Sequence, residues 1–539
     1  MTPQISVIVL RGWPDDDLAA CLEALAAAAT AGPAAEILVV GEGGGPPGAV
    51  PNELAVRWIG RGTGDVATAW NAGAEAASGE ILLFLRADVV PVADLLARHV
   101  AIHGRSDPVV GLGRVRPTGG SHPLALLGPV ADPEAQARDL PGCVGQTLSV
   151  PAAVFREAGG FTEGLAWGAK VDLIHRLRGS GVEARWIEGT AGRRAAPTTA
   201  AGAVRERFAA GRGSVELYRR HRALLPQLEL GGFASGQPPA LWLRRLLLAL
   251  GGPVIPPALG RLLPTPRLRE RWLRFQHEYH FWRGARRALR GDPVWRSLAR
   301  PPVVLMYHAI GRPGERPGCY IVPIERFRRQ LQWLTRLRYR VIGLEELLAY
   351  RRDFRPPPPR SVVITFDDGY ADNAELALPE LRARGFKATF FLVSGCLGGR
   401  NSWDSAGELA GRPMLSWDQA RSLLASEMEI GAHTRSHPAL PELPENALGE
   451  EVGGSRRDLE AGLGREVRTF AYPFGRVSGP VTAAVAAAGY EAACCSRSGV
   501  NDPAVPALLL RRLEVRGTDS LARFALGVHR GWVARRRRP

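Results

Sequence analysis

The stretch Ser361-Val362-Val363-Ile364-Thr365-Phe366-Asp367-Asp368-Gly369-Tyr370 decides how this chain is read. Its first residues are apolar and largely β-branched, the composition of a buried strand. Two carboxylates and a glycine follow at the strand's end, where an α/β fold presents its chemistry. There one carboxylate can hold a metal while its neighbour accepts a proton. An Asp-Asp pair by itself is an ordinary solvated turn, so its weight comes from the surrounding sequence.

Around this stretch, strands and helices alternate. The pattern predicts strands at 303–307, 339–342 and 388–393 and helices at 324–337, 344–351 and 374–384. The tract Arg355-Pro356-Pro357-Pro358-Pro359-Arg360 reads as an extended loop. The first 225 or so residues alternate in the same way. Strands are expected at 5–10, 36–40, 55–59 and 81–85, with helices at 15–29 and 67–77. Both patterns are βαβ and call for parallel sheets. Residues 230–300 differ, being rich in Arg, Leu, Trp and Pro, with a helix expected over 267–290. An amphipathic connector on a membrane surface and a helical layer packed on the first domain both fit. The expected organisation is a domain at 1–229, a basic helical connector at 230–300 and a second domain at 301–539.

A chain of 539 residues exceeds one ordinary core, and about two to four domains are expected. Hydrophobic content of 45% and charged content of 23% are globular values. The net charge of +16 is almost all arginine, since Lys170 and Lys387 are the only lysines. Such a surface favours anionic partners, including phospholipid headgroups and sugar diphosphates. No module of basic residues interleaved with aromatics is visible, so no nucleic-acid partner is expected. The six cysteines are scattered without a Cys-x-x-Cys pattern and read as reduced, buried thiols. The N-terminus reads as a first strand rather than a signal peptide. The most apolar segment, 241–263, is broken by arginines, glycines and prolines and falls short of a membrane span. A cytoplasmic protein, peripheral on the inner leaflet at most, is expected.

Downstream lies Glu429-Ile430-Gly431-Ala432-His433-Thr434-Arg435-Ser436-His437-Pro438. Histidines four apart can project from one face of a helical turn, as zinc requires, and here the first histidine is expected to end a strand and Pro438 to cap the turn. With Asp368 they make two nitrogens and one oxygen, which leaves a position open for water. A third element, Arg468-Thr469-Phe470-Ala471-Tyr472-Pro473-Phe474-Gly475, is a Pro-aromatic-Gly turn after a strand. Such a turn can aim a backbone N–H at a developing oxyanion.

These three elements, in this order, resemble the polysaccharide deacetylase family, the NodB-homology domain of carbohydrate esterase family 4. Met414-Leu415-Ser416-Trp417-Asp418 and Gly385-Phe386-Lys387-Ala388-Thr389-Phe390-Phe391 add to the likeness, which covers 301 to about 525. It implies a distorted (β/α) barrel, a divalent metal (most commonly Zn2+) and hydrolysis of an N-acetyl group on an amino sugar. It further implies Asp367 as general base, Asp368, His433 and His437 as metal ligands, and the N–H of Phe474 or Tyr472 at the oxyanion. Two departures stand out. Where many members carry an arginine that steadies the base, this chain has Ala471, with Arg468 further back. The late Leu-x-His that supplies an acid elsewhere is replaced by Leu510-Arg511-Arg512-Leu513-Glu514-Val515. A subgroup acting on poly-N-acetylglucosamine uses an early Tyr-His instead. Tyr307-His308 matches it, which makes His308 the expected general acid.

The first half resembles the family-2 glycosyltransferases, with their Rossmann-like nucleotide-sugar-binding (GT-A) fold. The likeness rests on residues 5–10 and 36–40, on Asn71-Ala72-Gly73, on residues 78–85 and on Gly159-Gly160-Phe161. The acids such enzymes need are largely gone. The nucleotide-binding position reads Gly41-Glu42-Gly43, the Asp-x-Asp is Arg86-Ala87-Asp88, and the catalytic Glu-Asp is Ala169-Lys170. Asp88, Asn71 and Asp172 remain as candidate nucleotide-sugar residues, and Lys170 or Arg86 could stabilise a diphosphate. The leading expectation is a metal-dependent de-N-acetylase whose first domain binds a glycan or a lipid- or nucleotide-linked amino sugar. A bifunctional transferase–deacetylase and a non-catalytic envelope scaffold are the alternatives.

Overall fold

The computed structural model describes residues 3–12, 18–41, 55–60, 65–104, 107–118, 147–165, 167–195, 200–234, 238–404 and 406–531. The chain forms two compact units. The first comprises Met1–Leu230 and Gly236–Arg290, the second Gly231–Ser235 and Gly291–Pro539.

The first unit is built on a mixed sheet. Its strands are β1 (Ile5–Leu10), β2 (Ala35–Gly41), β3 (Val56–Gly60), β4 (Ile81–Arg86), β5 (Val89–Pro91), β6 (Val109–Thr118), β7 (Thr147–Pro151) and β8 (Glu183–Ala195). The spatial order is β3-β2-β1-β4-β7-β6-β8-β5. The first four run parallel, and β7 lies antiparallel to both β4 and β6. Every residue of β1 and β4 is buried, as expected where helices cover a parallel sheet on both faces. The expected strands all form, within a residue or two at each end. The helix expected from residue 15 is described from Leu18 to Thr30, residues 13–17 lying outside the described residues. The segment 236–290 belongs to this unit. Its long helix, Pro266–Ala288, packs on helix Ala200–Arg220. The approach is close because Gly211 and Gly284 face the opposing backbone. A Cβ on Gly211 would lie 1.9 Å from the Phe281 carbonyl oxygen, and one on Gly284 would lie 2.1 Å from that of Phe208.

The second unit is a curled parallel sheet. Its strands are β9 (Val303–Tyr307), β10 (Ala309–Gly311), β11 (Ile321–Pro323), β12 (Arg340–Ile342), β13 (Ser361–Phe366), β14 (Thr389–Leu392), β15 (Glu429–Ala432), β16 (Thr469–Ala471), β17 (Ala492–Cys494) and β18 (Arg512–Glu514). The main order is β17-β16-β15-β14-β13-β9-β18, with β12 also beside β13 and β10–β11 a separate pair. The two ends of the sheet come back towards each other: Leu510, just before β18, exchanges backbone hydrogen bonds with Ala493 and Cys495. Strand alternation divides the core. Val303, Leu305, Val362, Ile364, Phe366 and Phe390 pack in one cluster, while Val304, Val363, Phe391, Ala471 and Cys494 pack in another. The sheet is thus buried on both faces, as in a barrel wrapped by helices. One expected element differs. The helix expected at 374–384 starts as a wide π turn, Asn373–Ala377, and becomes α-helical over Leu378–Arg382. Pro379 has no N–H to give to the carbonyl four residues back, and the Leu378 N–H bonds Asn373 O instead.

The cysteines are free thiols among the described residues. Cys21, Cys494 and Cys495 are buried, Cys319 and Cys396 are only half-buried, and Cys143 lies outside the described residues. No helix among the described residues is long and apolar enough to cross a membrane.

Candidate active site

Strand β13 delivers the two carboxylates, and the turn after it separates them. The Asp367 N–H bonds Tyr307 O, continuing the ladder to β9. Asp368 and Gly369 then adopt φ of 72° and 85°. Two successive left-handed residues swing the chain so sharply that neighbouring side chains take different partners. A Cβ on Gly369 would approach Leu392 Cδ2 to 2.9 Å, so the close turn favours glycine on both counts.

Asp368 faces the histidines. Its Oδ1 lies 3.3 Å from Nε2 of both His433 and His437, and all three side chains are buried. One ligand atom from each lies within 4.8 Å of the others. Nδ1 of His433 donates to Ala471 O at 2.8 Å, which leaves the Nε2 lone pair aimed at the cluster. Nδ1 of His437 is buried without a hydrogen-bond partner among the described residues. The ring is held instead by stacking on Trp403 at 4.5 Å and by an edge contact with Phe474 at 4.7 Å. Two imidazole nitrogens and a carboxylate oxygen, all on buried side chains, fit a divalent cation with further positions open. Burial alone would push the Asp368 carboxyl up, but the two histidines outweigh it and hold the group well below the usual carboxylate range.

The histidines do not share a helical turn, contrary to the expectation from their spacing. His433 follows β15 directly, and residues 433–439 are a loop. Thr434 and His437 have φ of 70° and 63°. Side chains lock the loop in place of helical hydrogen bonds. Glu451 accepts from the N–H groups of Arg435 and Ser436, and Thr434 Oγ1 accepts from the His437 N–H. Asp368, Thr434, His437 and Phe474 are four of the eight non-glycine residues with positive φ among the described residues. Left-handed backbone costs roughly 1–2 kcal/mol per residue, and such strain concentrates where geometry is over-determined for function.

Asp367 turns the other way. Arg512, from β18, grips it with two hydrogen bonds of 2.6 and 2.7 Å. The guanidinium also donates to Thr365 Oγ1 and Cys495 O and lies over the Phe391 ring. Arg512 and Asp367 are both almost fully buried. Burial would raise the Asp367 carboxyl, but the charge and hydrogen bonds of Arg512 and the charge of His433 hold it below the ordinary value. The residue that steadies this carboxylate is therefore Arg512. Arg468 lies at the surface, paired with Glu466 and Glu491, and takes no part in the site. The sequence holds only a weak signal for Arg512, one of two adjacent arginines where a short strand begins, in a segment whose notable feature is a missing histidine.

The Tyr-Pro-Phe-Gly turn also corrects an expectation. The Tyr472 N–H is taken by Cys494 O, and its hydroxyl by Leu508 O. Phe474, at φ 57°, makes no backbone hydrogen bond through its N–H among the described residues and exposes its ring beside His437. His308 follows β9. Its carbonyl accepts from Asn373 Nδ2 at 2.9 Å, its ring lies against Tyr320, and its Nδ1 is buried without a hydrogen-bond partner among the described residues. It is near enough for its charge to lower both the Asp367 and Asp368 carboxyls.

In the first unit, the candidate residues are tied up internally. Asn71 exchanges hydrogen bonds with the backbone N–H and carbonyl of Phe161. Arg86 forks onto Asp88 at 2.6 and 3.0 Å. Asp172 accepts from Thr162, Arg176 and His221. Lys170 is buried over the Trp70 ring at 4.7 Å. Glu42 and Gly43 lie outside the described residues.

Residues 354–493 match the family model described as Polysaccharide deacetylase. The chain is 25% identical over 208 residues to the "Putative polysaccharide deacetylase YxkH" of Bacillus subtilis (strain 168), covering 38% of this chain and 69% of that protein. Among solved structures it is similar to IcaB from Ammonifex degensii, at 26% identity, 43% of this chain, 97% of that one and a TM-score of 0.38. It is also similar to the Streptococcus pyogenes deacetylase PplD in complex with acetate, at 24% identity, 42% of this chain, 98% of that one and a TM-score of 0.37. The C-terminal region carries a polysaccharide deacetylase domain, a hydrolase acting on carbon–nitrogen bonds.

Proposed function

We propose that this chain removes N-acetyl groups from an N-acetylated amino sugar, in a polysaccharide or on a lipid or nucleotide carrier, during assembly of a cell envelope or exopolysaccharide. The observation that carries this reading is the division of labour between adjacent carboxylates: Asp367 is pinned by Arg512 beside a separate Asp368–His433–His437 cluster. When bound to those three side chains, a divalent cation, Zn2+ by preference, would polarise the acetamide carbonyl and acidify water. Asp367, kept ionised by Arg512, takes the proton from the attacking water as its oxygen bonds the carbonyl carbon. The Phe474 N–H is the backbone donor best placed to meet the oxyanion, since the Tyr472 N–H is already used. His308 gives a proton to the departing amine as the carbon–nitrogen bond breaks, so that acetate and the free amino sugar result.

The first unit is read as a family-2 glycosyltransferase-like, GT-A-type domain that binds substrate. Its parallel β3-β2-β1-β4 order supports that fold. The pairing of Asp88 with Arg86, and of Asp172 with Arg176 and His221, favours binding over sugar transfer, because these carboxylates already carry their counter-charges. The test is acetate release from N-acetylglucosamine oligomers and from nucleotide- and lipid-linked N-acetyl sugars. It compares wild type with Asp367→Asn, with and without chelator. Release lost in the variant and on chelation is expected. No release from any substrate would sink the reading, and sugar transfer from a labelled donor would replace the binding role of the first unit with catalysis.

A further inference from the structure

Eight of the thirteen large apolar side chains left exposed among the described residues fall between Trp242 and Leu268. One helix among them is apolar on its outward as well as its inward face: Leu241 and Leu248 are buried. In the helix Pro238–Ala249, Trp242, Leu243 and Leu246 face outward, and Leu250 continues that face just beyond it. Arg244, on the inward face, is only 2% exposed. It pairs with Glu278 at 2.7 Å, and its guanidinium lies over the Trp282 ring. A helix in water buries leucine and solvates arginine. Here Arg244 is neutralised inside beside Leu241 and Leu248, while Trp242, Leu243 and Leu246 stand out, an arrangement suited to an apolar medium on the outer side.

The apolar face continues past the helix. Gly251 and Gly252 turn the chain with φ of 100° and 71°. Val254 is then 65% exposed and Leu262 80%. Charge identifies the medium. Residues 238–290 hold eleven arginines and two glutamates, and Arg261, Arg267, Arg269 and Arg271 are exposed in the same segment as the apolar side chains. A segment that exposes apolar side chains, a tryptophan among them, together with several arginines has the composition of an element lying in the headgroup boundary of an anionic bilayer. No helix among the described residues is long and apolar enough to cross a membrane.

We propose that residues 242–268 dock the chain onto a bilayer surface rich in anionic phospholipid, with Trp242, Leu246, Leu250 and Leu262 entering the acyl boundary and the arginines engaging headgroup phosphates. The test is sedimentation of the full chain with vesicles of phosphatidylcholine alone and with one-third phosphatidylglycerol. Wild type should pellet with the anionic vesicles and be released by high salt. The variant Leu246→Glu/Leu250→Glu/Leu262→Glu should bind more than about tenfold more weakly. Arg261→Glu/Arg267→Glu should lose binding by about tenfold or more, because it replaces two cations that would meet headgroup phosphates with anions that repel them. All the substituted side chains are exposed, so the variants should melt like wild type, which separates lost docking from lost folding. Wild type remaining in the supernatant overturns the proposal, as does undiminished binding by the leucine variant or equal binding to neutral vesicles. A dimer seen by sedimentation velocity and abolished in the leucine variant would assign the face to a second copy and equally overturn it.

Discussion

Replacing Arg512 by methionine isolates the interaction on which the proposed mechanism turns. Methionine keeps much of the volume but none of the five donors. Asp367 would be left ionised in a pocket where both partners are almost fully buried. Breaking a buried pair by removing one partner costs about 3–5 kcal/mol, because the remaining charge is uncompensated. For a unit of this size each kcal/mol moves the melting temperature by about 2–4 °C, so a fall on the order of 10 °C is expected. The rate should fall too. Burial then acts on Asp367 without the opposing arginine, and its carboxyl rises from its present lowered value. A base that is partly protonated and no longer held in position loses part of the about 10²–10⁴-fold that general base catalysis supplies. The double variant Arg512→Met/Asp367→Asn separates the two effects. With no orphan charge it should recover much of the lost stability, yet remain as inactive as Asp367→Asn alone. Differential scanning calorimetry and acetate release on the same preparations read both quantities. If Arg512→Met melts within a degree or two of wild type and keeps full activity, the ion pair is incidental and the reasoning fails.

Three further outcomes follow from the same structure. His308→Ala should lower kcat by about 10²–10⁴-fold with little change in melting temperature, since its half-buried ring makes few fixed contacts; full activity in that variant would remove His308 from the acid role. Gly211→Ala should destabilise the first unit by about 2 kcal/mol or more, because the new Cβ would meet the Phe281 carbonyl at 1.9 Å and force two helices apart; an unchanged denaturant midpoint would count against that packing. His99, between Ser149 and Thr147, is pushed down by burial to about 3. Its contribution is fully present above the unfolded-state value of about 6.5 and is lost as pH falls towards 3, which amounts to about 2 kcal/mol between pH 7.5 and 5; a stability profile as steep in His99→Gln as in wild type would contradict neutral burial.

The strands were legible because their burial is written in contiguous residues: Ile5–Leu10 and Val303–Tyr307 are uniformly apolar or nearly so, and both form with the expected ends. Asp367, Asp368, His433 and His437 were legible because each sits in a short motif at the end of such a strand. Spacing misled at the histidines, since ligands four positions apart suit a helical turn equally well, and only the left-handed Thr434 and His437 with Glu451 behind them make the loop. The π turn at Asn373 was hidden for a related reason: a helical pattern does not show how the ladder adjusts around Pro379.

By itself the sequence determined two alternating α/β regions, a charge carried by arginine and the residue types of the site. Tertiary structure decided which arginine serves the base. Arg512 and Asp367 stand 145 residues apart, and they meet because β9 lies between β13 and β18 in the sheet. Tertiary structure also decided which side of the helix Pro238–Ala249 faces inward. A sequence lists Arg244 and Leu246 as neighbours without saying which is buried, because helical periodicity fixes only that they occupy different faces. Burial depends on what packs against each face, and that is settled by residues distant along the chain, here Glu278 and Trp282.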